Sequence, residues 1–167
     1  MVYVKMVRNT SGGTLYLKNL CNYVTRAKAN DEDDVLGVGG YGINPWNADK
    51  AYRQMFAIKL YYNKLEKNPV IHFIISFDRS VKDADTACRY ADRIAKYFRN
   101  RHQVMWAVHG KERKHSLYHV HLILNSVSYA DGKMYHSTIG VLRQFCNYVG
   151  KLTNSKTKLE IEGHTNE

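Results

Sequence analysis

HVHLILN, residues 119–125, is an apolar, β-branched run interrupted by His119 and His121. Extended to Val127 and bounded by turn residues, it reads as a buried strand. On a strand, residues two apart project from one face while the residue between them points into the opposite layer. His119 and His121 are therefore held side by side on a rigid element, as two ligands of one metal ion must be. Surface decoration is the competing reading of an isolated histidine pair.

Upstream, VMWAVHG (104–110) reads as a second strand, joined to the first by the polar, basic stretch from Lys111 to Tyr118. If the two pair as a hairpin, His109 comes opposite the His119/His121 end of its partner, and three imidazoles converge on one side of the sheet. Glu112 is placed to supply a carboxylate ligand or to bind a ring nitrogen from outside. His115, at the expected loop tip, replaces His109 as third ligand if the register differs. An all-histidine, open-sided set suits a catalytic divalent ion that keeps positions for substrate better than a closed, cysteine-rich structural zinc.

Further out, hydrophobic spacing supplies the rest of the domain. Val2 to Val7 alternate as a strand should, with a turn signal from Asn9 to Gly13. From Thr14, a plausible cap, the spacing of Leu17, Leu20, Cys21 and Val24 is helical, with Tyr23 in the last turns. An acidic segment, Asn30 to Asp34, precedes GVGGYGINPW (37–46). That glycine-rich stretch has no Gly-Lys-Ser/Thr after it and no strand directly before it, so it is expected to be a surface loop rather than a nucleotide site. Asn47 caps a helix to about Lys64, on which Tyr52, Met55, Phe56, Lys59 and Leu60 recur at helical spacing. VIHFIISF (70–77) is a buried strand, and a third helix runs from Asp83 to about Arg101 with a basic outer face. Asp131-Gly132 turns the chain into a last helix, Thr138 to Leu152, and LEIE (159–162) is a candidate edge strand.

The order predicts an α+β fold: a central, mainly antiparallel sheet of about five strands flanked by helices. No repeat or linker divides residues 1–167, which form one domain.

The composition narrows the partner. Lys and Arg number 25 against 15 Asp and Glu, a formal charge of +10 among 167 residues. A surface this basic concentrates polyanions, and nucleic acid is the commonest one. No stretch reads as an amphipathic membrane anchor or as a spanning helix. Cys21, Cys88 and Cys146 are odd in number and set apart in predicted helices, which suits reduced core thiols in a cytoplasmic protein. Lys18, Arg26, Lys28, Lys111, Arg113 and Lys114, with Arg99 and Arg101, are candidate contacts to a nucleic-acid backbone. A solvated charged face is the ordinary reading of each one singly.

HVHLILN, with Asn125 four residues after the second histidine, resembles the relaxase and mobilization-nuclease branch of the His-hydrophobic-His (HUH) endonucleases. LKNLCNYVTRAKA (17–29) is similar to that family's N-terminal helix, in which a tyrosine followed by an aliphatic and then a small polar residue is the nucleophile; Tyr23 occupies that place. INPWNADKAYRQM (43–55) and VIHFIISF are softer matches in the same order, so the likeness runs from Leu17 to Asn125. Two features depart from it. Many mobilization proteins carry an acidic residue where this chain has Lys111, and the ten-residue interval from His109 to His119 is longer than in several relatives. Both bear on the third metal ligand.

The resemblance implies a bacterial, cytoplasmic DNA relaxase that nicks an origin of transfer, single-stranded at the nick. Tyr23 would attack phosphorus and leave a 5′-phosphotyrosine and a free 3′-hydroxyl. A phenol ionises near 10, so a base is required. His109, Glu112 and His72 are the candidates, and Asn125 is placed to orient a ligand histidine or a backbone group. Tyr16 and Tyr41 are the substitutes for Tyr23. A monomer working with accessory relaxosome proteins and a coupling protein is expected, as the N-terminal part of a longer chain. The rivals are a replication initiator or transposase of the same class, a phosphoesterase with no covalent stage, and a basic nucleic-acid-binding module whose histidines are structural.

Overall fold

The computed structural model describes residues 1–8, 13–25, 34–113 and 116–162, the side chains of 34 and 111–113 excepted. The expected turn at 9–12 and most of the acidic segment, 30–33, lie outside the described residues.

The elements are β1 (Val2–Val7), α1 (Gly13–Thr25), β2 (Asp34–Tyr41), α2 (Ala48–Tyr61), β3 (Val70–Ser76), α3 (Ala84–Ala95), β4 (Val104–Arg113), β5 (Ser116–Asn125), α4 (Ile139–Thr153) and β6 (Thr157–Glu162). One six-stranded sheet has the order β2-β4-β5-β3-β1-β6. Its pairs are antiparallel except for β1 with β6, which run parallel. The fold is α+β, as the pattern predicts. Among the described residues no helix is long and apolar enough to cross a membrane.

Strand alternation splits the core into two layers. Val120, Leu122 and Leu124 of β5 join Trp106 and Val108 of β4 and Phe73 and Ile75 of β3 on one face, beneath α3 and α4. Phe145 of α4 anchors that layer, its ring centroid 4.9 Å from Phe73 and 5.0 Å from Phe98. On the other face Met105, Ala107, Ile123 and Val70 pack against Leu17, Leu20, Cys21 and Val24 of α1 and Ala51 and Met55 of α2. His119 and His121 alternate with Val120, so they lie on this second face.

The helix caps follow side-chain chemistry. Asn47 accepts from the Lys50 amide at 2.9 Å, Asp83 from Thr86 at 2.7 Å and Thr138 from Val141 at 3.3 Å, each supplying one of the acceptors that a helix start lacks. α3 is shorter than its apolar spacing suggests. It ends at Ala95, and turns closed by Tyr97, Phe98 and Arg99 amides on the third carbonyl back carry the chain on, keeping Phe98 buried.

One expectation is overturned. The first part of the glycine-rich stretch is no surface loop: Val35 to Tyr41 pair antiparallel with β4 as an edge strand. Its glycines mark close approach. A Cβ on Gly39 would sit 2.4 Å from the Trp106 ring, and one on Gly40 would sit 2.4 Å from the Val104 carbonyl oxygen. Glycine in a strand is therefore used here for contact with a large neighbour. This strand and β6 bring the sheet to six.

The polar connection between the histidine strands is also shorter than expected, because the ladder continues through it to an Arg113–Ser116 pair.

Candidate active site

The β4–β5 hairpin register sets His109 directly across from His119, with His121 two residues further along the same face. Ring centroids are 5.3 Å apart for His109–His119, 4.6 Å for His109–His121 and 5.1 Å for His119–His121. All three are buried, and one nitrogen from each lies within 4.8 Å of the others. Among the described residues the donor set is three imidazoles, an arrangement that fits a divalent ion keeping positions open for phosphate oxygens.

What the other ring nitrogens touch decides which atom faces the cation. His109 Nε2 is 2.8 Å from the Val24 carbonyl oxygen. A carbonyl only accepts, so Nε2 carries the proton and Nδ1 is the nitrogen His109 can turn to a metal. His121 Nδ1 is 3.0 Å from His72 Nε2, so Nε2 is the nitrogen that His121 would turn to a metal. Burial pushes the His72 imidazole down to about 4, which keeps it neutral.

Tyr23 arrives from α1. The stripe Leu17, Leu20, Cys21 and Val24 is buried against the sheet, while Tyr23, on the flank of that stripe, is 41 % exposed. Its ring meets His121 edge-on at 87°, with centroids 6.0 Å apart. The next residue, Val24, supplies the carbonyl that holds His109. The helix end that carries the tyrosine is thus docked on a candidate metal ligand. A depression of about 380 Å³ opens beside these rings, lined by Tyr16, Asn19, Tyr23, His72, His121 and Glu162 among others.

The remaining sequence candidates fall in different places. Lys18 is exposed on α1, its Nζ 5.9 Å from the Tyr52 ring centroid. Lys111, Glu112 and Arg113 continue β4 beyond His109, but their side chains are not among those described. Arg26, Lys28, Lys114 and His115 lie outside the described residues. Asn125 is not brought to the imidazoles. It is fully buried, four residues along β5 from His121, and its amide donates to the Met55 carbonyl at 3.1 Å and to Gln103 at 2.8 Å. The Tyr41 hydroxyl bonds Asp92 of α3 at 2.7 Å, in the other layer, whereas Tyr16 lines the depression. Arg99 lies over the Tyr41 ring, and Arg101 pairs with Asp131. Burial pushes the Cys21 thiol up to about 12, and the three cysteines are free.

Glu162 escapes a reading of the sequence. It ends β6, pairs with Val7 beside the His72 row and forms an ion pair with Lys5 at 2.7 Å. Only the parallel pairing of β6 with β1, a contact between the two ends of the chain, carries this carboxylate to the depression.

The family model described as "Relaxase: MobA/VirD2-like, nuclease domain" matches residues 23–156, which is most of the chain and includes Tyr23 and the three clustered histidines. No curated protein and no solved structure matches the chain significantly.

Proposed function

We infer from this chain, which belongs to the MobA/VirD2-like relaxase nuclease-domain family, that it nicks one DNA strand at an origin of transfer and stays joined to the cut end through Tyr23. The family relationship carries the general activity, a metal-dependent nuclease acting on DNA. The observation that supports the finer reading is the edge-on approach of Tyr23 to His121 at 6.0 Å, from a helix whose Val24 carbonyl holds His109.

The Tyr23 oxygen attacks phosphorus, a phosphotyrosine bond forms, the P–O3′ bond breaks, and the leaving 3′-oxygen takes up a proton. The phenolic proton passes to a base, for which Glu162 in the same depression is a candidate carboxylate. His109, His119 and His121 would hold the divalent ion, Mg²⁺ or Mn²⁺, whose chemistry is to polarise the phosphate and offset developing charge. Because the phosphodiester energy is kept in the adduct, the same site can later rejoin the ends. Lys18 and the basic residues from Lys111 to Lys114 follow the phosphates of DNA single-stranded at the nick. The enzyme works as a monomer in a bacterial cytoplasm, with accessory relaxosome proteins and a coupling protein as partners.

Incubation with Mn²⁺ and a single-stranded oligonucleotide carrying the origin tests this. The wild type is expected to give a covalent protein–DNA adduct on a denaturing gel, and Tyr23→Phe to abolish it. Cleavage without an adduct, unchanged in Tyr23→Phe, would instead indicate a hydrolytic phosphoesterase.

A further inference from the structure

His72 lies on β3, which pairs with β5 so that Ile74 faces His121 and His72 sits diagonally beyond it on the same face. Its ring stacks on His121 at 24° with centroids 5.2 Å apart. The Nε2-to-Nδ1 distance is 3.0 Å, both rings are buried, and His72 Nδ1 has no hydrogen-bond partner among the described residues.

Only two proton arrangements satisfy that contact when both rings are neutral. In one, His72 donates from Nε2, His121 accepts at Nδ1, and the His121 proton must sit on Nε2; neither nitrogen of His121 can then bind a cation. In the other, His121 donates from Nδ1 to a bare His72 Nε2, and His121 Nε2 keeps its lone pair. The second arrangement leaves the proton of His72 on its orphaned Nδ1, and it is the one of the two in which His121 can bind a cation.

We propose that His72 is the positioning residue of the metal centre: by accepting at Nε2 it holds the His121 proton on Nδ1 and keeps His121 Nε2 open toward a divalent cation. An outer hydrogen-bond acceptor of this kind fixes the tautomer and the ring orientation of a metal-binding histidine. On this ligand His72 supplies the acceptor that Val24 supplies for His109. The inference rests on the reading of the three histidines as a divalent-ion site, so its test must separate the two.

The measurement is Mn²⁺ binding by calorimetry, without DNA, on wild type, His119→Ala, His72→Phe and His72→Gln, with the melting temperature of each metal-free protein recorded alongside. His119→Ala is expected to abolish binding; if it does not, the metal-site reading itself fails. His72→Phe, which stacks but cannot accept, is expected to weaken binding about 10- to 100-fold. His72→Gln, whose side-chain carbonyl can accept, is expected to return to within about threefold of wild type on the same reasoning. Wild-type affinity in His72→Phe, with His119→Ala inactive for binding, would overturn the proposal and leave the metal site standing. Should His72→Phe fail to fold, ¹⁵N-resolved NMR of the metal-free wild type at neutral pH decides: a proton on His121 Nδ1 is expected, and one on Nε2 overturns the assignment.

Discussion

At the scale of single residues, burial matters most where it falls on a group that prefers water. Lys59 shows this outside the candidate site. Its ammonium is fully buried, 2.7 Å from the Ser126 hydroxyl and 3.3 Å from the Asn68 carbonyl, and desolvation pushes it down to about 8 from the usual 10.5. The folded chain therefore releases this proton more readily than the unfolded chain. Between pH 8 and 10.5 the unfolded state binds more protons, so stability rises with pH, by up to about 3 kcal/mol for this group. Urea titrations of wild type and Lys59→Met at pH values across this range should show the difference moving in favour of wild type as pH rises; a constant difference would contradict the account. Helical spacing places Lys59 and Leu60 together on one stripe, yet the structure buries Lys59 and leaves Leu60 57 % exposed. The choice was made by acceptors at Asn68 and Ser126, which local spacing does not see. The histidines divide in the same way. His119 and His121 are legible because a strand's period of two sets them on one face, and His109 because a short hairpin returns it to them. The contact of His72 with His121 depends on a pairing between strands 49 residues apart in sequence.

Among the elements, the edge strand β2 departs furthest from local expectation. Glycine-rich sequence lacks the β-branched side chains that usually signal a strand, and what makes Val35–Tyr41 extended is the partner strand: Trp106 fills the space above Gly39 and the Val104 carbonyl approaches Gly40. Substituting Gly39→Ala forces an overpacked contact with an indole only 7 % exposed, at an expected loss of about 1–3 kcal/mol of unfolding free energy. Denaturant unfolding measures it as a lower midpoint, and the loss should shrink in a Trp106→Leu background, where the ring is gone. An alanine variant as stable as wild type would show that the strand tolerates a side chain there. The helices were easier to read, since Asn47, Asp83 and Thr138 announce three starts by their capping chemistry and apolar stripes give the buried faces. Their ends were less legible: α3 stops at Ala95 although Phe98 continues the stripe, because a turn with third-residue hydrogen bonds also keeps that ring inside.

For the molecule as a whole, the sheet separates two tasks. One face, under α3 and α4, holds the larger aromatic core; the other packs α1 and α2 at one end and leaves a row of imidazoles at the other. Because α1 is held both by its apolar stripe and by the Val24–His109 bond, Tyr23 keeps its place over His121 without a ligand to arrange it. Such preorganisation lowers the cost of reaching a reactive geometry. The central claim is that three buried imidazoles hold one divalent cation beside this tyrosine. Crystals soaked in Mn²⁺ and measured at a wavelength with strong manganese anomalous scattering test it most directly. The account predicts a single strong peak bonded to His109, His119 and His121, with the Tyr23 hydroxyl turned toward its open side. A peak elsewhere, no peak at the three histidines, or a tyrosine directed away from the ion would contradict it.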